Sequence, residues 1–274
     1  MSGIIWLASY PKSGNTWLRA FLANAIAGGE EPVPFAEFRR FTTNEASGHW
    51  FIKRLGGEIR PEHMRRVAAL RGEVQRDIAD TGKPFRLVKT HNYLGTAFSH
   101  MQINLEVTAG AVYVVRNPLD IAISFANHNS STIDEAIEVM AKPGTSSMMR
   151  SDRVFEWTAD WSTHVASWTQ RRHDRLCVLR YEDMLDQPFE CFSRVVEFLG
   201  MTADEARIRR AVEASSFERL SAMERETGFD EKPAGAEAFF RAGRKEQWRE
   251  VLTAEQQRRI IARHRRQMER FGYA

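Results

Sequence analysis

The chain has 274 residues, of which 43% are hydrophobic and 27% charged, which excludes disorder over its whole length and leaves room for one large core. Its 39 basic and 36 acidic residues leave a formal charge of +3, too balanced for wholesale polyanion binding, so nucleic acid is not an expected partner. The two cysteines, Cys177 and Cys191, cannot build a disulfide framework and form no C-x-x-C zinc pattern, which fits a reducing cytoplasm.

The first apolar run, "IIWLASY" at 4–10, lacks a basic leader and is too short for a signal peptide or a membrane span. It is expected to be a buried strand. It leads through Pro11, Lys12, Ser13, Gly14 and Asn15 into a helix expected from Thr16 to Ala27. A strand turning into a helix through small residues aims backbone N–H groups and the positive end of the helix dipole at an anion. The same residues also suit an ordinary helix start. In a nucleotide-hydrolysing P-loop the lysine directly follows the last glycine, whereas Lys12 comes two residues before Gly14.

Residues 28–60 break the pattern. A helix is expected over 61–80, then a strand, "FRLVKTH", over 85–91. Its end places Lys89 and His91 on one side of an extended chain. The next strand, "AVYVVRN" at 111–117, ends at Arg116 and is followed by Pro118, suited to a helix start, and by Ser124. Residues 126–150 interrupt again, a helix is expected over 153–172, and the strand "RLCVLRYED" at 175–183 carries Tyr181. Near the C-terminus, Arg258, Arg259, Arg263, Arg265, Arg266 and Arg270 recur at helical spacing without interleaved aromatics, the pattern of a solvated helix face.

The four strands are nearly continuous apolar runs, as in a parallel sheet covered on both faces. Their alternation with helices predicts an α/β fold, a P-loop-like parallel β-sheet flanked by helices in a single domain over 1–274. A ligand is then expected beyond the carboxyl ends of the strands, where Lys12, Ser13, Lys89, His91 and Arg116 fall. The stretches 28–60 and 126–150 are expected to be acceptor-site or lid insertions.

Five ordered segments, "YPKSGNTW", "KTH", "VYVVRNPLDIAISF", "RYEDM" and "FRAG" with a following tryptophan, together resemble the sulfotransferases. The likeness is to the cytosolic type, which uses 3′-phosphoadenosine 5′-phosphosulfate (PAPS) and leaves PAP. It spans residues 4 to about 253 and leaves 28–84 and 126–174 unmatched. What the resemblance implies is transfer of a sulfuryl group to a hydroxyl or amine of a small acceptor, with no metal required and no membrane partner. Lys12 would stabilise charge on the bridging oxygen of the leaving group, His91 would be the general base, and Lys89 would neutralise the sulfuryl oxygens. Ser13, Gly14, Asn15 and Thr16 would hold the 5′-phosphate, with Trp17 beside the adenine. Arg116 and Ser124 would take the 3′-phosphate, although a salt bridge from Arg116 to Asp120 is the structural alternative. Tyr181, Ser215 and Phe217 match positions lining the adenine.

The segment Arg241-Ala242-Gly243 matches the family's R-K-G stretch except that Ala242 replaces lysine, so one cationic contact to the 3′-phosphate is either missing or supplied by Arg244 or Lys245. The family's dimer motif has as its counterpart Arg249, Thr253, Ala254 and Arg258, with the final charge reversed, which argues against that mode of dimerisation. Phe35, Phe38, Phe41, Trp50 and Phe51 either suggest an apolar or aromatic acceptor or close a core. A P-loop nucleotide kinase, or a nucleotide-binding protein without catalysis, is the alternative.

Overall fold

In the computed structural model, which describes residues 3–80, 85–171, 173–233 and 235–274, all four expected strands form. Strand β1 (Ile4–Ser9) is buried at every position, as a continuous apolar run between two covering layers requires. Helix α1 (Asn15–Ala27) starts one residue before the expected Thr16 and stops at Gly28, whose φ of 67° gives the left-handed C-terminal turn. Residues 28–60 are not featureless: they contain α2 (Phe38–Phe41), the short strand β2 (Thr42–Asn44) and α3 (His49–Leu55). Helix α4 (Met64–Ala79) and β3 (Arg86–Thr90) come next. A two-residue antiparallel pair, β4 (Thr96–Ala97) and β5 (His100–Met101), precedes β6 (Thr108–Val115).

Helix α5 (Pro118–Asn129) opens with proline in its first turn, and the Asn117 side chain caps it by accepting from the Leu119 amide. Helix α6 (Ile133–Ala141) lies within the second stretch that interrupts the sequence pattern. The helix expected over 153–172 is shorter. Only α7 (Trp161–Thr169) is helical, while Arg153, Glu156 and Trp157 make extended-chain contacts and Ala159 takes a φ of 54° that breaks any helix there. The end of that expectation, Arg172, lies outside the described residues. After β7 (Leu176–Arg180), Tyr181 opens a helix instead of ending a strand. That helix is α8 (Tyr181–Asp186), followed by α9 (Pro188–Phe198), α10 (Glu205–Ala214), α11 (Phe217–Thr227), α12 (Trp248–Val251) and α13 (Ala254–Arg270).

The architecture is a central parallel sheet flanked by helices, with strand order β2-β3-β1-β6-β7. Strand β3 pairs in parallel with β1, from Ile4 opposite Arg86 to Ala8 opposite Thr90, and with β2 from Thr42 to Asn44. That register puts the residue after Ala8 beside the residue after Thr90. The chain packs as two compact units. One comprises Met1–Tyr10, Thr42–Tyr113 and Lys142–Val178, the other Pro11–Phe41, Val114–Ala141 and Leu179–Ala274.

In the first unit, α4 turns Val67, Val74 and Ile78 inward, and Arg71 and Gln75 sit in the same buried stripe. Two polar residues belong there because Glu45 is buried opposite them. Arg71 donates to Glu45 Oε1 at 2.6 Å and to the Phe155 carbonyl at 2.6 Å, and Gln75 donates to the Gln102 carbonyl at 2.9 Å. Asn92 donates to Glu45 Oε2 at 3.1 Å, so the network fixes the chain next to His91. Phe51, read from the sequence as an acceptor-pocket residue, is fully buried core.

In the second unit, Phe38, Val33, Ala20, Ala23 and Leu220 form a cluster with Phe35, Phe41 and Trp17 packed against it. These aromatics therefore close a core. Helix α13 confirms the helical reading of the basic run: Ile260 and Met268 are buried, while Arg258 and Arg259 pair with Glu255 and Asp134. Thr253 caps α13 through a reciprocal bond with Gln256. Both cysteines are buried thiols.

Candidate active site

The loop before α1 has the backbone of an anion cradle. Lys12 takes a φ of 66° and Gly14 a φ of 102°, positive-φ residues two apart, as occurs in backbone nests that bind anions. The N-cap of α1 is Gly14, which has no side chain to cap the helix, and the positive end of the helix dipole favours an anion at this end.

Several groups expected at this cradle meet there. Arg116 donates from Nη1 to the Lys12 carbonyl at 3.0 Å, and its guanidinium lies 4.2 Å from the centre of the Tyr181 ring. Trp17 meets the same tyrosine edge-on at 5.9 Å. Asp120, the alternative partner of Arg116, accepts instead from the backbone of Glu246 at 2.8 Å and Trp248 at 3.1 Å. Ser13 Oγ, Arg116 Nε and Trp17 Nε1 are buried without a hydrogen-bond partner. Donors left in this way fit a phosphorylated nucleotide, which would supply the missing acceptors.

Gly14 is required by geometry twice over. A Cβ there would lie 2.7 Å from Tyr181 Cδ2, and its φ is one that L side chains rarely adopt. Gly14→Ala is therefore expected to cost about 1–3 kcal/mol and to weaken PAP binding, measured by thermal denaturation with and without PAP. An unchanged midpoint and affinity would show that the loop tolerates the side chain.

Lys12 Nζ donates to His128 Nδ1 at 3.2 Å and lies 4.2 Å above the centre of the Phe239 ring. Burial and the neighbouring Arg116 lower its pKa to about 8, against the pull of Glu231 and Glu224. His128 was not foreseen from sequence. It stands one helical turn after Ser124 on α5, so the two share a face, and Ser124 is half-buried there. Phe239 belongs to an aromatic group with Phe229 and Phe240 that no periodic pattern announces.

The C-terminal candidates divide. Gly243 packs against Phe217 so closely that a Cβ would come within 2.3 Å of its ring, which joins the "FRAG" and "SSF" segments. Ser215 is fully buried, and its hydroxyl donates to the Ala211 carbonyl of its own helix at 2.8 Å. Arg241 donates to Gln247 at 2.8 Å and borders a cavity of about 310 Å³ with Asn127, Ser130 and Glu237. The residues put forward to replace the missing lysine are engaged, Arg244 with Glu250 at 2.9 Å and Lys245 with Asp186.

The first unit holds the other catalytic candidates. His91 Nδ1 lies 2.8 Å from the Ser9 carbonyl, which can only accept. That nitrogen must therefore carry the proton, and in the neutral ring Nε2 keeps its lone pair. Fully buried His164 is oriented in the opposite sense. Its Nε2 donates to the His91 carbonyl at 3.1 Å and its Nδ1 accepts from the Tyr113 hydroxyl at 2.9 Å. Burial lowers its pKa to about 3 despite the opposing bond to His91, so it is neutral at ordinary pH. Lys89 is not a surface group. It is 4% exposed and faces Glu156 Oε2 at 3.4 Å.

An α/β fold with a positive-φ loop leading into a helix, a lysine in that loop and a buried arginine beside it has the features of a site for a phosphorylated ligand. A sulfotransferase domain model matches residues 3–272. The chain belongs to the sulfotransferase family. Among curated relatives, dog sulfotransferase 1A1 is 26% identical, with 97% of this chain and 83% of that protein covered. Cytosolic sulfotransferase 13 of Arabidopsis thaliana is also 26% identical, over 91% of this chain and 72% of that protein.

Solved structures share the fold. A mouse sulfotransferase complexed with PAP superposes with a TM-score of 0.63 at 19% identity, covering 98% of this chain and 85% of that one. Retinol dehydratase in complex with androsterone and PAP does so with a TM-score of 0.66 at 20% identity, covering 97% and 80%. Among the described residues, no helix is long and apolar enough to cross a membrane.

Proposed function

We propose that this sulfotransferase moves a sulfuryl group from PAPS to a hydroxyl or amine of a small acceptor, with Lys12 assisting departure of PAP and His91 taking the acceptor proton. The observation that supports this reading most is the contact between Arg116 and the Lys12 carbonyl. It joins the residue expected at the 3′-phosphate to the loop expected at the 5′-phosphate.

When bound, PAPS supplies the activated sulfuryl group. Within this reading, the Ser13 to Thr16 amides and the Ser13 hydroxyl hold the 5′-phosphate, and Arg116 holds the 3′-phosphate that distinguishes PAPS from ATP. Trp17, Tyr181 and Phe217 border the adenine. Lys12 offers positive charge to the bridging oxygen as the sulfuryl bond breaks. His91 Nε2 accepts the proton that leaves the acceptor, while Nδ1–H stays on the Ser9 carbonyl and holds the ring in place. The named ligands of retinol dehydratase, androsterone and retinol, support an apolar acceptor class for this chain. A cytoplasmic setting follows the names of the plant relatives.

The test is incubation of the purified chain with PAPS labelled in the sulfuryl group and a panel of phenols, alcohols and amines. Label is expected in at least one acceptor, and PAP is expected to raise the thermal midpoint. Saturable PAP binding with no transfer to any acceptor would return the reading to a nucleotide-binding protein without chemistry.

A further inference from the structure

Glu156 is 3% exposed in a segment without regular secondary structure, between Phe155 and Trp157. A carboxylate in such a place is costly unless every oxygen is paired. Here each is. Oε1 accepts from the His91 backbone N–H at 2.6 Å, and Oε2 faces the Lys89 ammonium at 3.4 Å. One side chain thus grips both chemically capable residues of the "KTH" triplet from outside their strand.

The surrounding chain is built to hold that grip. The Trp157 amide donates to Asn92 Oδ1 at 2.7 Å, the Tyr93 amide donates to the Trp157 carbonyl at 2.8 Å, and the Glu156 amide donates to Ser147 Oγ at 2.8 Å. These bonds run the segment alongside residues 92–93 and leave the Glu156 side chain pointing at β3. The charged and titratable groups around it are Lys89 on β3, His91 just after it, Arg153 on its own segment, Glu45 after β2, and His164 on α7. Burial alone would raise the Glu156 pKa. Lys89, His91, Arg153 and the His91 N–H outweigh it and bring the group to about 2, so Glu156 is an anion throughout the working pH range.

We infer that Glu156 is a positioning residue for the general base: it fixes the His91 main chain, holds Lys89, and places a permanent negative charge beside the imidazole. The inference rests on the functional reading above for its catalytic meaning, but its electrostatic core does not. A neighbouring anion stabilises the protonated ring. Removing it, with Lys89 left uncompensated, shifts His91 toward the neutral form.

The experiment is a pH titration of the His91 ring resonances in the full chain labelled with ¹⁵N-histidine, for the wild type, Glu156→Gln and Glu156→Asp. The His91 signals are assigned from their loss in His91→Asn. Glu156→Gln is expected to lower the His91 midpoint by roughly one unit or more and to shift the acidic limb of kcat the same way. It is also expected to lower kcat at least about tenfold while leaving PAP affinity unchanged. Glu156→Asp should fall between the two, since it keeps the charge but cannot span both partners. Should the glutamine variant not fold, the aspartate variant is read alone, with the same direction of change expected. A lowered thermal midpoint with the His91 titration unmoved in a folded variant makes Glu156 merely structural and overturns the proposal. The titration needs no turnover, so a chain that transfers no sulfuryl group defeats the functional reading without touching this result.

Discussion

Replacing Lys12 with alanine is expected to lower kcat for sulfuryl transfer by roughly 10²- to 10³-fold, the usual effect of removing a single group that meets charge developing in the transition state. PAP should still bind, weakened by no more than about tenfold, because the α1 amides and Arg116 remain. The split matters, since a lysine that only anchored the nucleotide would lose affinity and rate together. Its placement supports the rate effect. The backbone at Lys12 is held at a φ of 66°, and the ammonium is fixed between His128 at 3.2 Å and the Phe239 ring at 4.2 Å. Left-handed backbone at a residue other than glycine carries strain that the surrounding structure must impose.

The same residue sets a pH limit. Its pKa lies below the ordinary lysine value, at about 8, because burial and Arg116 both disfavour the charged form. The charged form is the one that assists the leaving oxygen. It is fully present below that pKa and is lost as pH rises through it, so kcat/KM, which reports the free enzyme, should decline above about pH 8. Lys12→Ala should lose that limb along with the rate. A variant retaining more than half of wild-type kcat, or a wild-type profile flat to pH 10 or so, would remove Lys12 from the chemistry.

Much of the frame was legible because its signals are local. The four strands were readable from unbroken apolar runs, since a strand buried on both faces has no polar side to show. Proline at 118 and the small residues before α1 marked helix starts through constraints that act within a few residues. The second-unit cradle was legible in outline, because the strand-to-helix turn and the α/β alternation put Lys12 and Arg116 beyond the strand ends, but nothing in their spacing says that a carbonyl of one meets the guanidinium of the other. Strand β2 was missed because Thr42-Thr43-Asn44 has no apolar run and is held by its pairing with β3. The first part of the helix expected over 153–172 failed for a related reason. Val154 and Phe155 are buried residues of an extended segment whose backbone groups are taken from elsewhere, the Val154 amide by the Ala46 carbonyl, the Phe155 carbonyl by Arg71, and the Trp157 amide and carbonyl by Asn92 and Tyr93, and tertiary pairing there overrides any local preference. Glu156 and His128 were invisible because each gains its role from a partner more than 60 positions away along the chain.

Replacing His91 with asparagine is expected to lower kcat by roughly 10²- to 10⁴-fold, the range for loss of a positioned base, with PAP affinity unchanged. Asparagine is the sharper substitution than alanine because its amide can still donate to the Ser9 carbonyl that now holds Nδ1–H at 2.8 Å. The support is kept and only the basic lone pair is lost. The neighbouring imidazole of His164 cannot take over, because it has both nitrogens committed, to the His91 carbonyl and the Tyr113 hydroxyl, and burial holds its pKa at about 3. A group that weakly basic cannot take a proton from an alcohol or phenol near neutrality. The variant's residual rate should therefore lose the acidic limb that His91 imposes on the wild type. Rate loss with that limb preserved would mean the titrating base lies elsewhere, and His91 would then be a residue that shapes the site without moving a proton.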